Sequence, residues 1–315
     1  MNICSITYNE CKGKYSQKGL RLISKQLTFL KPFPYSFKEQ IAEAMARADK
    51  ISIQGLQPKL STIFSPKENA FLIVDRNGRY IFKPQHIHYE QIPENESLTM
   101  RLAAQVGIKV PLNGLLYSVD NSMTYFIKRF DRTGQKGKIA VEDFAQLLGE
   151  TRETKYSSSI EKVIEIVNKY CTFPEIEKKY LFKLIIFNYL VGNEDMHLKN
   201  YSLITTGDIT SISPAYDLVN TTILLGNIKE ESALPIAGKK RGLSKNIFFK
   251  YLAKERLGLN DKVINKIWSK FYKSFNSWDA LINRSFLNDK MKLAYRKIVQ
   301  NRLQKLSGIS LNLRL

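Results

Sequence analysis

Hydrophobic periodicity changes character near Val141, and that change limits the fold more than any other feature of the chain. Before it, short apolar runs are bounded by turn residues: ISIQGLQPKLSTIF, then NAFLIVD, an Asn77-Gly78 turn signal, and RYIFKPQ. This pattern predicts a glycine-bearing strand pair followed by a hairpin across Asn77-Gly78. A helix is expected from Glu94 through Gln105, closed by Gly107, then two strands, GLLYSVD and MTYFIKRFD, around the Asp120-Asn121 turn. After Val141 the pattern turns helical: SSSIEKVIEIVNKY opens on serines able to cap, and PEIEKKYLFKLIIFNYLVG has Pro at its first turn and Gly192 at its end. A small hairpin, NYSLITTGDITSIS, and Lys-rich helices from Ser244 to Leu306 carrying Trp268, Phe271, Phe275 and Trp278 complete the chain.

These readings predict an α+β chain in three parts. Residues 1–36, ending in the boundary-like KPFPYS stretch, read as an N-terminal appendage. Residues 37–140, opening on the helical spacing of Phe37, Ile41, Ala44, Met45 and Ala48, read as a small β-rich lobe, and 141–315 as a larger helical one. A crevice between two such lobes is a natural nucleotide site.

Charge narrows the partners. Lys plus Arg number 49 against 29 Asp plus Glu, a formal net charge of +20. Such a surface attracts polyanions: nucleic acid, acidic protein faces, nucleotide phosphates or anionic lipid. Three cysteines, Cys4, Cys11 and Cys171, are too few for a disulfide framework and fit a reducing cytosol. Cys4 and Cys11 lack the second ligand pair that a structural zinc site requires. The start has no signal-peptide apolar run, and the most apolar segment, from Leu181, is short and broken by Lys183 and Asn188, so a soluble, cytoplasmic protein is expected.

The chemistry concentrates in Gly192-Asn193-Glu194-Asp195-Met196-His197-Leu198-Lys199-Asn200, polar residues directly after a predicted buried helix. Phosphoryl transfer needs a carboxylate to take the attacking hydroxyl's proton and a carbonyl oxygen to help hold Mg²⁺. Asp-x-x-x-x-Asn places both, Asp195 and Asn200, on one loop. After the predicted hairpin, Asp217 in SPAYDLVNT supplies a second carboxylate suited to the metal. In the β-rich part Lys83 ends an apolar strand, where a phosphate-pairing lysine would sit, and Glu96 on the next helix is placed to pair with it. The segment Gln54, Gly55, Leu56, Gln57 and Lys59 can meet phosphates with backbone N–H groups and an ammonium, although one glycine makes no Walker loop. The strand exit Lys128, Phe130 and Asp131 lies where a hinge would hold adenine, and His197 reads as a brace for the Asp195 loop. Each residue also has a plain structural reading: a turn former at Asn200, a cap at Asp217, a solvated edge at Lys83, a surface carboxylate at Glu96.

Taken in order, GLQPKLS, IFKPQ, PENE, KRFDR, EDFAQLLG, GNEDMHLKN and SPAYDLVNT resemble the HipA family of bacterial serine/threonine kinase toxins, from about Ile51 to Thr222. The resemblance implies a two-lobed, protein-kinase-like fold and an ATP- and Mg²⁺-dependent protein kinase of a type II toxin-antitoxin system that phosphorylates an aminoacyl-tRNA synthetase and inhibits translation. By motif it makes Asp195 the catalytic base, Asn200 and Asp217 the Mg²⁺ ligands, Lys83 the ATP-phosphate lysine, Gln54 to Lys59 the phosphate-binding loop and Ser52 the autophosphorylated serine. Only about fifty residues precede that loop, as in the short HipT form. That form implies a separate HipS-like small protein, a HipB-like DNA-binding antitoxin, contact with DNA only through the antitoxin, and tryptophanyl-tRNA synthetase as substrate. Gln54 departs from short-form relatives that carry another serine there, which leaves Ser52 alone in the segment. Two other readings compete. One is a lipid or small-molecule kinase, because Asp-x-His-x-x-Asn also resembles the catalytic loop of phosphoinositide kinases; the other is a non-catalytic nucleotide- or DNA-binding module.

Overall fold

A computed structural model describes residues 1–47, 57–134, 137–150, 154, 156–226 and 230–308. Ser52, Gln54, Gly55 and Leu56, expected in the phosphate-binding loop, lie outside the described residues. The chain divides into two compact units. One comprises residues 1–98, 111–137 and 283–287, the other residues 99–110, 138–282 and 288–315.

The first unit opens with a two-strand ladder, β1 (Asn2–Ile3) and β2 (Glu10–Cys11), and helix α1 (Gln17–Ile23). Helix α2 (Phe37–Ala46) follows, opened by a capping box in which Ser36 and Glu39 satisfy each other's backbone N–H groups. Then come β3 (Leu60–Ser65), β4 (Ala70–Ile73), β5 (Tyr80–Lys83), α3 (Ile92–Gln105), whose residues from Thr99 on are counted in the second unit, β6 (Asn113–Tyr117) and β7 (Met123–Lys128). The five later strands form one antiparallel sheet in the order β4-β3-β5-β7-β6.

That order corrects the expected hairpin at Asn77-Gly78. The paired neighbours are β3 and β4, joined by a tight turn through Asn69 at φ +51°. The 74–79 segment then carries the chain around β3, with Val74 N–H donating to Ser61 O and Arg79 N–H to Thr62 O, so that β5 pairs with the other edge of β3. A turn signal marks a reversal but not which strand receives it. Residues 1–36, expected as an appendage, enter this unit's core: Cys4, Ile6, Leu20, Leu27, Leu30 and Phe33 cluster with Leu60, Phe71, Phe82, Leu116 and Phe126. Ser5 also bonds β6 twice, Oγ to Leu115 O and Leu115 N–H to Ser5 O.

A short ladder, β8 (Arg132–Thr133) with β9 (Gly137–Lys138), leads to the second unit. There β10 (Ala140–Asp143) joins the predicted hairpin β11 (Ser202–Thr206) and β12 (Ile209–Ile212) as a third antiparallel strand, and α4 (Phe144–Leu148) follows β10 directly through an Asp143 cap. Helices α5 (Ile160–Tyr170), α6 (Pro174–Val191), α7 (Thr221–Leu225), α8 (Asp261–Arg284) and α9 (Asp289–Ser307), with a wide-turned helical stretch over Asn246–Arg256, supply the rest. From Leu181 onward α6 is buried except at Lys183, as expected of a helix apolar on all sides. Phe187 meets Trp278 of α8 edge to face at 5.7 Å.

Candidate active site

In the first unit, β5 pairs with β7 so that Lys83 stands opposite Tyr125. Lys83 Nζ lies 2.6 and 2.9 Å from the two carboxylate oxygens of Glu96 on α3, and 5.6 Å from the Tyr125 ring centroid. The side chains are 3% and 0% exposed. A fully buried ion pair recovers its desolvation cost only with good geometry, and apolar residues of the same size would often stabilise the fold as well or better. Its presence therefore calls for a reason beyond packing.

Two residues earlier on α3, Glu94 is also buried, and both its oxygens accept from Gln85 Nε2, at 2.8 and 3.0 Å. Burial pushes its carboxyl up to about 7, against the opposing effect of these hydrogen bonds. A raised carboxyl pKa means that the folded chain holds the proton more tightly than the unfolded one. The resulting stability is full below about pH 4.5 and is lost as the pH rises to about 7. Glu94→Gln keeps an acceptor for Gln85 and removes the titration. It should therefore match wild type near pH 4.5 and exceed it at pH 8 by up to roughly 3 kcal/mol, read from urea melts at the two pH values.

At the exit of β7 the expected adenine-holding residues are engaged otherwise. Lys128 N–H donates to Leu112 O at 2.8 Å, and the Lys128 side chain is exposed. Arg129 grips Asp131 through two bonds of 2.9 and 2.6 Å. Burial alone would raise the Asp131 carboxyl, but this grip and the charges of Arg129 and Arg132 hold it below the usual range. Phe130 is half-buried. Of the phosphate-loop residues, Lys59 and Gln57 are described. Among the described residues no group bonds the buried Gln57 Nε2.

In the second unit, α6 ends at Gly192 with φ +73°. A Cβ there would come within 2.7 Å of Thr222 Oγ1 and 2.9 Å of Asn220 Oδ1, so conformation and space both select glycine. The loop beyond is held at several points. Asn193 Nδ2 donates to Asn188 Oδ1 at 2.7 Å, and Asn193 Oδ1 accepts from Asp195 N–H at 3.1 Å. Glu194 N–H donates to Thr221 Oγ1 at 2.8 Å. The Glu194 carboxylate, nearly buried, accepts from the hydroxyls of Thr221 and Thr222 at 2.7 and 2.6 Å and pairs with Arg302 of α9.

On this frame Asn200 Nδ2 donates to the Asp195 carbonyl at 2.8 Å, which leaves the Asn200 amide oxygen as the group able to face a cation. His197 N–H also donates to the Asp195 carbonyl, at 2.8 Å, and the His197 side chain is buried. The Asp195 carboxylate itself is about half exposed and accepts from the Tyr156 hydroxyl. Asp217 adopts φ +54°, uncommon outside glycine and therefore a sign of local constraint. Its neighbour Tyr216 donates to Lys199 O at 2.9 Å, tying the Asp217 segment to the residue before Asn200.

The structure thus brings Lys83 and Glu96 together in one unit, and Asp195, His197 and Asn200 together in the other, with Tyr216 linking the Asp217 segment to the same loop. Sequence reasoning missed Glu194, Tyr156, Tyr216, Thr221, Thr222 and Arg302. The one available signal was a carboxylate beside Asp195 in a loop bordered by apolar residues. Among the described residues, no group of three or more His, Cys, Asp or Glu is placed to hold a metal, and no helix is long and apolar enough to cross a membrane.

The profile of the HipA-like C-terminal domain matches residues 51–278, most of the chain. The chain belongs to the HipA family. A Haemophilus influenzae member described as a candidate kinase is 28% identical over 91% of this chain and 92% of its own length. The serine/threonine-protein kinase toxin HipA of Shewanella oneidensis is 30% identical over 191 residues, 54% of this chain but only 43% of that protein. The chain of a solved complex of Shewanella oneidensis HipA, HipB and operator DNA superposes with a TM-score of 0.70 at 20% identity, covering 90% of this chain and 74% of that one. The Helicobacter pylori proinflammatory kinase CtkA superposes with a TM-score of 0.55 at 16% identity, covering 79% and 91%. The HipA fold of this chain is α+β and kinase-like.

Proposed function

We propose that this chain is an ATP- and Mg²⁺-dependent serine/threonine protein kinase and the toxin of a type II toxin-antitoxin system. Its substrate in this reading is an aminoacyl-tRNA synthetase, tryptophanyl-tRNA synthetase first among those to test. Autophosphorylation at Ser52 would regulate it, since a phosphoserine adds about 1.5 to 2 negative charges beside the nucleotide phosphates. A HipB-like antitoxin is the expected partner, as in the Shewanella assembly, together with a HipS-like small protein.

The observation that carries the reading is the buried Lys83–Glu96 pair, a costly arrangement that makes sense when the lysine is being aimed at phosphates. The residues present also fit the nucleotide and its ion. The Asn200 amide oxygen and the Asp217 carboxylate are hard oxygen donors of the kind Mg²⁺ takes, and would hold the ion. When bound, that ion neutralises charge on the β- and γ-phosphate oxygens. Lys83 and Gln57 Nε2 donate to phosphate oxygens, and Asp195 accepts the proton of the attacking serine or threonine hydroxyl at its carboxylate.

The test is to incubate wild type and Asp217→Asn with labelled ATP, Mg²⁺ and a bacterial extract, counting label in protein and lipid separately. Label in a synthetase-sized band with wild type, reduced at least a hundredfold by Asp217→Asn, is the expected result. Label in lipid would favour a phosphoinositide-like kinase, and wild type and variant labelling alike would remove Asp217 from the site.

A further inference from the structure

The half-exposed Asp195 carboxylate would, left to solvent, turn about its terminal torsion and exchange its hydrogen bonds with water. It is not left to solvent. The Tyr156 hydroxyl, from the segment before α5, donates to Asp195 Oδ1. The Tyr156 ring stands edge-on to the His197 ring, centroids 5.0 Å apart and planes at 86°, and His197 is a buried member of the Asp195 loop whose Nε2 lies 3.9 Å from the same Oδ1. The phenol thus bonds the carboxylate oxygen beside which the imidazole stands. Among the described residues, Asp195 Oδ2 accepts no hydrogen bond. Burial and the bond to Asp195 hold the Tyr156 phenol above its ordinary range, so it stays a donor at any pH where a kinase works.

We propose that Tyr156 is a positioning residue for the base, its hydroxyl holding Asp195 Oδ1 so that Oδ2 is presented to the acceptor hydroxyl. The inference rests on the reading of Asp195 as that base. It adds a residue carried about forty positions upstream of the catalytic loop, in a stretch with no kinase-like motif of its own. The chemistry of the step is unchanged. The acceptor oxygen bonds to the γ-phosphorus, the bond from that phosphorus to the ADP oxygen breaks, and the hydroxyl proton passes to Oδ2.

The experiment compares wild type, Tyr156→Phe, Asp195→Asn and the double variant. It follows γ-phosphate transfer from ATP both to purified tryptophanyl-tRNA synthetase and to water, read as ADP release, with a melting temperature for each protein. Tyr156→Phe keeps the ring and its contact with His197 and removes one hydroxyl, so the melting temperature should stay within about 2 °C. Its kcat should fall roughly 10- to 100-fold with KM for ATP within about twofold, the pattern of a misplaced base and not of weakened nucleotide binding. In the Asp195→Asn background the same change should cost nothing further. Unchanged or raised kcat in Tyr156→Phe, beside an inactive Asp195→Asn, would overturn the positioning role while leaving the base assignment intact. An increase would mean that the phenol competes with the acceptor. Activity retained by Asp195→Asn, or no turnover by wild type with either acceptor, would remove the reading beneath the inference and the inference with it.

Discussion

Asp195→Asn is expected to lower phosphoryl transfer roughly 10³-fold or more while leaving the fold and nucleotide binding in place. The substitution is nearly isosteric and touches no main-chain contact. The Asp195 N–H still reaches Asn193 Oδ1, its carbonyl still receives Asn200 Nδ2, and the neighbouring Glu194 still anchors the loop to Thr221, Thr222 and Arg302. What disappears is the carboxylate's capacity to take a proton. Asp195→Asn should therefore keep the rise in melting temperature that wild type shows with ATP and Mg²⁺, since binding to the native state stabilises by mass action whether or not transfer follows. Asp217→Asn should lose both transfer and the Mg²⁺-dependent part of that rise. Transfer by Asp195→Asn above a few per cent of wild type would move the base elsewhere.

That Asp195 and Asn200 share one loop was readable from sequence because the two are close in the chain. Asp195 and Asn200 are five residues apart, and the bond from Asn200 Nδ2 to the Asp195 carbonyl closes within that interval. Lys83 and Glu96 were readable for a similar reason, thirteen residues apart on a strand and the helix after it. The supports were not readable. Glu194 finds its partners 27, 28 and 108 positions away, and the Tyr156 hydroxyl reaches Asp195 across 39. No periodicity links such residues; only the tertiary packing of α6, α7 and α9 makes them neighbours. The same limit explains the sheet. Apolar runs and turn residues located β3, β4 and β5, but the choice of edge for β5 depends on non-local pairing, and the hairpin expected at Asn77-Gly78 does not form. It also explains residues 1–36, whose scattered apolar positions show no strong period yet supply much of one face of the first unit's core.

Glu194 shows why a site of this kind carries more carboxylates than its reaction uses. If the loop holds a base, a metal ligand and a brace in fixed relation, as proposed, its own short hydrogen bonds need support from residues distant in sequence. The neighbouring carboxylate turns inward, is buried, and gathers two hydroxyls from α7 and a guanidinium from α9. The adjacent acids thus differ: Glu194 holds the loop, and in the proposed reading Asp195, about half exposed, is the one kept for chemistry.

Lys83→Met separates structure from function in the first unit. Removing the ammonium takes the Lys83 charge from beside the Glu96 carboxylate, which is 0% exposed. Breaking such a pair costs roughly 3 to 5 kcal/mol, which in a chain of this size lowers the melting temperature by about 5 to 8 °C. Replacing both partners, Lys83→Met with Glu96→Leu, removes the stranded charge and should return the melting temperature to within about 3 °C of wild type, because well-packed apolar residues replace a buried ion pair at little net cost. Activity should follow a different pattern. In the proposed reading both variants lack the ammonium aimed at the nucleotide phosphates, so both should transfer phosphate at least about 10²-fold more slowly and show a weakened ATP-induced rise in melting temperature. A double variant that recovers stability but not transfer would assign the lysine to the nucleotide and the glutamate to the lysine. Recovery of both would make the pair a packing device and withdraw Lys83 from the site, and a single variant as stable as wild type would mean that the pair is not buried in solution.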